Sequence, residues 1–140
     1  YDTFGLKPQF HQLELRLLEA AGEYSKQWGI FLEPSPTAEK YLNEGDIISF
    51  GNLSFEILFT PGHSPGSLCF YHKQHKIVIG GDVLFQMSIG RYDLPGGDEQ
   101  TLLNSIRTQL FTLPADVKVL PGHGPETTIG FEKMYNPFLV

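Results

Sequence analysis

The sequence predicts an α/β fold in which helices flank a mixed β-sheet. β-prone runs follow one another from residue 47 to residue 80, and another lies at 117–120. Apolar residues recur at helical spacing over 12–27 and again over 99–109. The 140 residues have the length of one domain or of part of one, and no linker or change in composition interrupts them. We therefore expect a single α/β unit over 1–140.

The first part of the chain predicts one helix between irregular segments. A short strand is expected at 9–11 and an amphipathic helix at 12–27, which ends near Gly29. Prolines exclude a regular element over 33–36, and 40–46 should be irregular or a short turn. The aromatic residues at the end of the helix continue its apolar stripe and are expected to be buried: Tyr24 and Trp28.

Consecutive strands are predicted in the centre of the chain. Runs at 47–50 and 53–59 surround Gly51-Asn52, which is a hairpin signal. Further strands are expected at 67–72 and 77–80, joined by a polar turn.

The last third predicts a loop, a helix, a strand and a second helix. The Gly-rich run 86–97 should be an irregular loop, which is a common place for residues that set specificity. Asp98 is the predicted N-cap of the following helix. A strand at 117–120 precedes a short final helix, which begins after Thr127 or Thr128.

Several polar side chains are interpreted as structural. Cys69 lies in an apolar run, and since no motif around it would activate a nucleophile, we expect a small buried residue. His72 and His75 flank the polar turn between two strands, where neighbouring lysines predict solvent exposure. His11 has no framing motif and is expected in the core or at the surface instead of in a metal site.

Two turns share the frame Pro-Gly-His-x-Pro, and each follows a β-prone run. They contain His63 and His123, and a third strand-like run between them ends in Gly80-Gly81-Asp82. Pro stops a strand and Gly permits a tight turn, so each His has few backbone alternatives. Imidazole nitrogen and carboxylate oxygen are ligands of zinc. If the three strands run the same way, their ends lie along one sheet edge, which predicts a metal site there.

Charge and cysteine content restrict the partners and the location. The formal net charge is −6, the pI is about 5.2 and no basic run exists, which disfavours nucleic acid and anionic membrane surfaces. No apolar stretch approaches the roughly 20 residues that span a bilayer. A single cysteine cannot form an internal disulfide and favours a reducing compartment. We therefore expect a cytoplasmic protein that binds neither nucleic acid nor membrane.

These motifs resemble the metallo-β-lactamase-fold hydrolases, and most closely the short glyoxalase II-like (hydroxyacylglutathione hydrolase-like) branch. The resemblance is carried by 60–66, Gly80-Gly81-Asp82 and 121–125, and more narrowly by the loop 90–98. It covers most of the chain from about Glu44 onwards. It implies an αββα sandwich, of which this chain would be roughly the second half.

The resemblance also implies a role for each candidate residue. His63 would bind the first of two divalent metal ions, Asp82 would bridge both and act in catalysis, and His123 would bind the second. A metal-bridging hydroxide would be the nucleophile, since a dication lowers the pKa of bound water towards about 7. Zinc is the expected metal, and mixed nitrogen and oxygen ligands also allow iron or manganese. Arg91 and Tyr92 would contact the substrate, with a loop-anchoring salt bridge or a packing role as the alternative.

The chain departs from the family pattern because it does not contain the family's His-x-His-x-Asp-His motif, whose place would be upstream of Tyr1. Three protein ligands cannot fill two coordination spheres, so we expect a missing N-terminal segment or a second chain to complete the site, and 1–140 to be a partial domain. The intact protein should hydrolyse a thioester such as a hydroxyacyl-glutathione. It could instead be a persulfide dioxygenase, a lactone or ester hydrolase, or an inactive fragment or half-fold interaction module.

Overall fold

The computed structural model describes residues 3–33 and 35–140, which divide into two compact units. The first unit extends to Leu42, and the second from Asn43 to Val140. No helix in these described residues is both long and apolar enough to cross a membrane. That 1–140 forms a single domain stays a prediction.

In the first unit a helix lies between two short strands. Strand β1 (Gln9–Phe10) pairs in parallel with β2 (Lys40–Tyr41). A 3-10 turn over Gln12–Glu14 leads into α1 (Leu15–Gln27), so the predicted strand and helix are both present. His11 begins the 3-10 turn, because its Nδ1 accepts a hydrogen bond from the Leu13 N–H at 3.2 Å.

Two expectations for this unit are wrong. The aromatic end of α1 is not buried, since Trp28 is 81% exposed and Tyr24 is 47% exposed. Apolar spacing predicts a helix, but it does not say what covers the apolar stripe. The stretch expected to be irregular also contains β2, which pairs through its backbone and needs no sequence pattern of its own. In the predicted loop over 33–36, Pro34 lies outside the described residues, and the others have no regular structure.

The second unit contains a six-stranded mixed sheet and a separate two-stranded hairpin. The strands of this unit are β3 (Ile47–Phe50), β4 (Leu53–Phe59), β5 (Leu68–His72), β6 (Ile77–Gly81), β7 (Leu84–Phe85), β8 (Ser88–Ile89), β9 (Lys118–Pro121) and β10 (Thr127–Thr128). The sheet has the order β10-β9-β6-β5-β4-β3, and β7 pairs with β8. The hairpin predicted around Gly51-Asn52 is present, with Phe50 opposite Leu53.

Three strands of the sheet run in one direction. Strand β5 is antiparallel to both β4 and β6, and β6 is parallel to β9. Strands β4, β6 and β9 therefore point the same way, and their carboxyl ends meet at one edge of the sheet. This edge is where ligands bind in open α/β sheets.

Helix α2 (Glu99–Ser105) follows the long loop after β8. Asp98 caps it as predicted, because its Oδ1 accepts the Thr101 N–H at 2.8 Å. Hydrogen bonding by the Thr101 side chain, followed by that of its N–H, lowers the pKa of Asp98. The helix then widens into a π-helical turn over Ile106–Leu110.

Helix α3 (Ile129–Tyr135) begins at Thr128, whose Oγ1 accepts the Phe131 N–H at 3.2 Å. The sequence allows either Thr127 or Thr128 as the cap, and the structure selects Thr128. Helices α2 and α3 share one core with the sheet. Its fully buried members include Cys69, Val78, Leu102, Ile106, Leu110, Val117, Val119 and Ile129.

Two expectations for the second unit are wrong. His72 is buried, not exposed: its ring packs edge-to-face on Phe55 with 5.1 Å between centroids. Its Nδ1 accepts the N–H of His75, so the ring nitrogen keeps a partner inside the protein. His75 is exposed, as predicted. The loop expected to be irregular contains β8, which together with β7 forms a tight hairpin.

Candidate metal centre

The three predicted ligands lie together at the carboxyl edge of the sheet. Asp82, which follows β6, faces both histidines. Its Oδ1 lies 2.9 Å from His123 Nδ1, and its Oδ2 lies 3.7 Å from His63 Nε2. One carboxylate oxygen is thus directed at each imidazole. The role of these residues as metal ligands stays a prediction.

Helix α2 holds the turn that carries His63. Ser105, which is buried, donates from Oγ to the Pro61 carbonyl oxygen at 2.7 Å. Gly62 has a φ of +131°, and a Cβ on it would lie 2.3 Å from the Leu102 Cα. Only glycine permits this backbone conformation and this approach. The position of His63 is therefore set by helix packing as well as by the local turn.

A backbone carbonyl fixes the orientation of the His63 ring. His63 Nδ1 lies 2.8 Å from the carbonyl oxygen of Arg91. Because a carbonyl can only accept a hydrogen bond, Nδ1 carries the proton. In the neutral ring, Nε2 then has the lone pair, and it is the nitrogen that faces Asp82. A hydrogen bond of this kind is the usual way in which a metal-binding His is oriented.

The backbone of the second turn lies close to the Asp82 carboxylate, and the side chain of His123 is exposed to solvent. A Cβ on Gly122 would lie 2.3 Å from Asp82 Oδ1, so the carboxylate fits only because this residue is glycine. The side chain of His123 is 78% exposed. Its ring meets the edge of Phe85 at a centroid distance of 6.1 Å and an interplanar angle of 81°.

Arg91 and Tyr92, the predicted substrate contacts, both have partners within the protein: Arg91 pairs inside the loop, whereas Tyr92 packs against the core and lies near Glu99 of α2. Arg91 donates from Nε and Nη2 to the two carboxylate oxygens of Asp93, each at 3.0 Å. These hydrogen bonds raise the pKa of Arg91 and lower that of Asp93. The nearby charge of Glu99, followed by desolvation, raises the pKa of Tyr92. Arg91 keeps further N–H donors for an anion, and its contact with substrate stays a prediction.

The chemistry of the donors fits a divalent metal, but their number does not complete a site. Imidazole nitrogen and carboxylate oxygen are the donors that zinc and related ions bind. Within residues 3–33 and 35–140, no group of three or more His, Cys, Asp or Glu side chains is placed to hold one ion together. Instead, His63 and His123 each form a pair with the shared Asp82. The arrangement provides part of a ligand set and requires further donors.

Comparison with known proteins identifies the class to which this fold and site belong. The chain belongs to the metallo-beta-lactamase superfamily, whose sequence profile matches residues 5–123. Hydroxyacylglutathione hydrolase GloC of Haemophilus influenzae is 44% identical over 124 residues, which are 88% of this chain and 58% of that protein.

Two solved structures are similar over 99% of this chain and 67% of their own. One is the B3 metallo-beta-lactamase BLEG-1, with a TM-score of 0.87 and 41% identity. The other is TTHA1623 in a di-iron-bound form, with a TM-score of 0.86 and 42% identity. The predicted α/β fold with a mixed sheet is therefore confirmed. The chain spans about half the length of the curated relatives it matches.

Proposed function

We propose that the protein is a metal-dependent hydrolase of a small thioester, such as a hydroxyacyl-glutathione. One observation carries the proposal: Asp82 directs one carboxylate oxygen to each of His63 and His123 at the carboxyl edge of the sheet. A carboxylate between two imidazoles can serve two divalent ions at once, so all three residues are assigned as metal ligands and Asp82 as the central catalytic carboxylate. The similarity to hydroxyacylglutathione hydrolase GloC supports a thioester as the substrate class.

Bound divalent ions would supply an activated water and would stabilise the oxyanion formed at the thioester carbonyl. The residues of the chain orient this chemistry. The Arg91 carbonyl keeps the proton of His63 on Nδ1 and its Nε2 towards Asp82. Water adds its oxygen to the acyl carbon, the carbon–sulfur bond breaks, and the thiol leaves with a proton. Exposed Arg91 and half-buried Tyr92, in the loop beside the site, are the proposed contacts to an anionic thiol such as glutathione.

Zinc is the proposed metal because the donors are imidazole and carboxylate. Iron and manganese accept the same donors, and the similarity to a di-iron-bound structure favours iron over manganese as the second choice. Since three side chains cannot fill two coordination spheres, a further segment or a second chain should supply the remaining ligands. A cytoplasmic location belongs to the same proposal and is supported by the single, buried Cys69.

A β-lactam is the second candidate substrate, because a B3 metallo-beta-lactamase is similar over nearly the whole chain. A β-lactam and a thioester both present a carbonyl to an activated water, so the site alone does not separate them. Hydrolysis of a lactone or an ester and oxidation of a persulfide are further candidate reactions. The thioester is preferred because a relative named for that activity matches 88% of the chain.

The test uses the natural gene product that contains this sequence, purified without chelator. Elemental analysis should give about two metal ions per chain. Release of free thiol from a hydroxyacyl-glutathione should exceed turnover of a lactone and of a β-lactam. An oxygen electrode with a glutathione persulfide tests the dioxygenase. A folded protein with metal near zero and no hydrolysis would contradict the proposal.

Matched variants connect the activity to the site. Asp82→Asn should lower hydrolysis by at least about 100-fold, since even the outer partners of metal ligands change activity by about 10–100-fold. Asp116→Asn is the control, because Asp116 is an exposed aspartate that pairs with Lys76 away from the site. His123→Gln should lower the metal content as well as hydrolysis, whereas His75→Gln should change neither. Equal losses in both members of a pair would show that the assigned residues are not ligands.

A further inference from the structure

Helix α3 contains a buried carboxylate that the proposed chemistry does not use. Glu132 is fully buried and accepts three hydrogen bonds. Thr127 Oγ1 donates to Glu132 Oε1 at 2.5 Å. Glu132 Oε2 accepts hydrogen bonds from Asn136 Nδ2 at 2.8 Å and from the Met87 N–H at 3.0 Å. Two of these donors come from other segments, the β7–β8 turn and β10, and the third, Asn136, caps the end of α3 itself. A buried polar group with so many partners specifies the arrangement of the elements around it.

The first of these segments is the β7–β8 hairpin. Its turn residue Met87 has a φ of +57°, which is uncommon for a residue other than glycine. The Met87 N–H is bound by Glu132, and the carbonyl oxygen of the next residue, Ser88, accepts from Asn136 Nδ2 at 3.0 Å. Glu132 of α3 and Asn136, the residue that follows this helix, therefore bind two consecutive residues on the β8 side of the turn. Phe85, which ends β7, is held by the same turn, and its ring meets the ring of His123.

The second segment is strand β10. Thr127 pairs with Val119 of β9, the strand that continues into the second Pro-Gly-His turn. By binding the Thr127 hydroxyl, Glu132 also fixes the strand next to the one that leads to His123. The ring of His123 is mostly exposed, and the contacts described for it are with the Asp82 carboxylate and the Phe85 ring.

From these contacts we infer that Glu132 is a positioning residue for His123. It acts along two routes, through Met87 and Phe85 of the β7–β8 hairpin and through Thr127 of β10. Neither route passes through a metal or a substrate. The inference can therefore be tested on metal-free protein and can fail or succeed independently of the proposed hydrolase activity.

The test records the ring signals of the histidines by long-range proton–nitrogen NMR, assigned with single His→Gln variants. Glu132→Ala should shift or split the signals of His123 and leave those of His63 in place. Hydrogen exchange at the Met87 amide should become faster, because its acceptor is gone. Glu132→Gln is the conservative variant: its carbonyl oxygen can accept from Met87 and Asn136, and its amide can donate to the Thr127 hydroxyl. It should restore the wild-type His123 signals.

Two further variants keep the inference testable if Glu132→Ala does not fold. Phe85→Leu removes the ring contact and leaves Glu132 intact, so it should shift His123 alone. Ser105→Ala is the matched control, since it removes a buried hydrogen bond to the first turn and should shift His63 instead of His123. Unchanged His123 signals in Phe85→Leu, and in Glu132→Ala where that variant folds, would overturn the inference. Equal shifts at His63 and His123, or a Glu132→Gln spectrum like that of Glu132→Ala, would overturn it as well.

Discussion

The two Pro-Gly-His turns share a sequence frame but are built into the protein differently. The side chain of His63 is 25% exposed, and its Nδ1 is bound by the Arg91 carbonyl, so Nε2 faces Asp82. The side chain of His123 is 78% exposed, and it is Nδ1 that faces Asp82. The frame therefore produces a turn at the end of each strand, whereas the residues around each turn determine which ring nitrogen of the His faces Asp82.

The glycines of the two turns show the same difference. Gly62 packs its backbone against the backbone of α2, where a Cβ would meet the Leu102 Cα at 2.3 Å. Gly122 packs against the end of a side chain, where a Cβ would meet Asp82 Oδ1 at the same distance. A backbone cannot move away as a carboxylate can. A side chain at Gly62 should therefore mainly lower the stability of the fold, whereas a side chain at Gly122 should mainly displace the Asp82 carboxylate from the candidate site.

The largest effect is expected from Gly62→Ala. The substitution strains a φ of +131° and forces the turn away from α2, which should lower the free energy of unfolding by about 2–5 kcal/mol. Urea unfolding measures it. Gly124→Ala is the control, because that glycine also has a positive φ but a Cβ there meets no atom within 4 Å. It should cost only about 1–2 kcal/mol, and an equal loss in both variants would show that contact with α2 is unimportant.

Gly122→Ala should produce a smaller loss of stability, about 1–2 kcal/mol, because the Asp82 carboxylate can turn away from the new methyl group. That movement separates the carboxylate from His123. Metal affinity should fall by at least about tenfold, measured by titration of zinc into metal-free protein. Wild-type affinity in Gly122→Ala would mean that the observed carboxylate position is not the one that binds metal.

Much of the fold of the second unit could be predicted because short-range sequence determines it. Gly51-Asn52 makes the hairpin, and Asp98 begins α2 by a hydrogen bond three residues along the chain. The exposure of Trp28 could not be predicted, since apolar spacing does not identify the covering surface. The same limit applies to His72, whose burial depends on Phe55 of a neighbouring strand.

The candidate site could be predicted only as a set of residue types. The repeated frame after two strands identified His63 and His123, and the third strand end identified Asp82. The carbonyl of Arg91 could not be recognised, because every residue has one. Glu132 gave no signal either, because a glutamate in a short helix is ordinarily at the surface, and its three donors meet it only in the folded chain.

A third prediction concerns Cys69, which lies beneath the first turn and has no counterpart beneath the second. Its Sγ lies 3.3 Å from Thr60 Oγ1, at the end of β4, and donates to the Gly80 carbonyl in β6. Burial raises the pKa of this thiol from 9.0 to about 12. Between these values the folded state binds more protons than the unfolded state, so stability falls as pH rises. The thiol contribution is fully present below pH about 9.

At pH 10, which is one unit above the ordinary pKa of the thiol, this loss should be on the order of 1 kcal/mol. It is measured as the difference in urea unfolding between pH 8 and pH 10. Cys69→Ala removes this part of the slope and retains the titration of every lysine and tyrosine. Identical pH dependence in the two proteins would show that burial does not raise the pKa of the Cys69 thiol.

The smallest effect is expected from Thr128→Ala, which removes the cap of α3. The Phe131 N–H loses its acceptor, and stability should fall by about 1 kcal/mol in urea unfolding. Because α3 carries Glu132, fraying of its first turn should disturb the ring signals of His123 and leave those of His63 unchanged. Asp98→Ala, which uncaps α2 beside the first turn, should have the opposite pattern. If both variants disturb the signals of both histidines equally, α2 and α3 do not position the two turns separately. The difference between the turns is then limited to the residues that contact His63 and His123 directly.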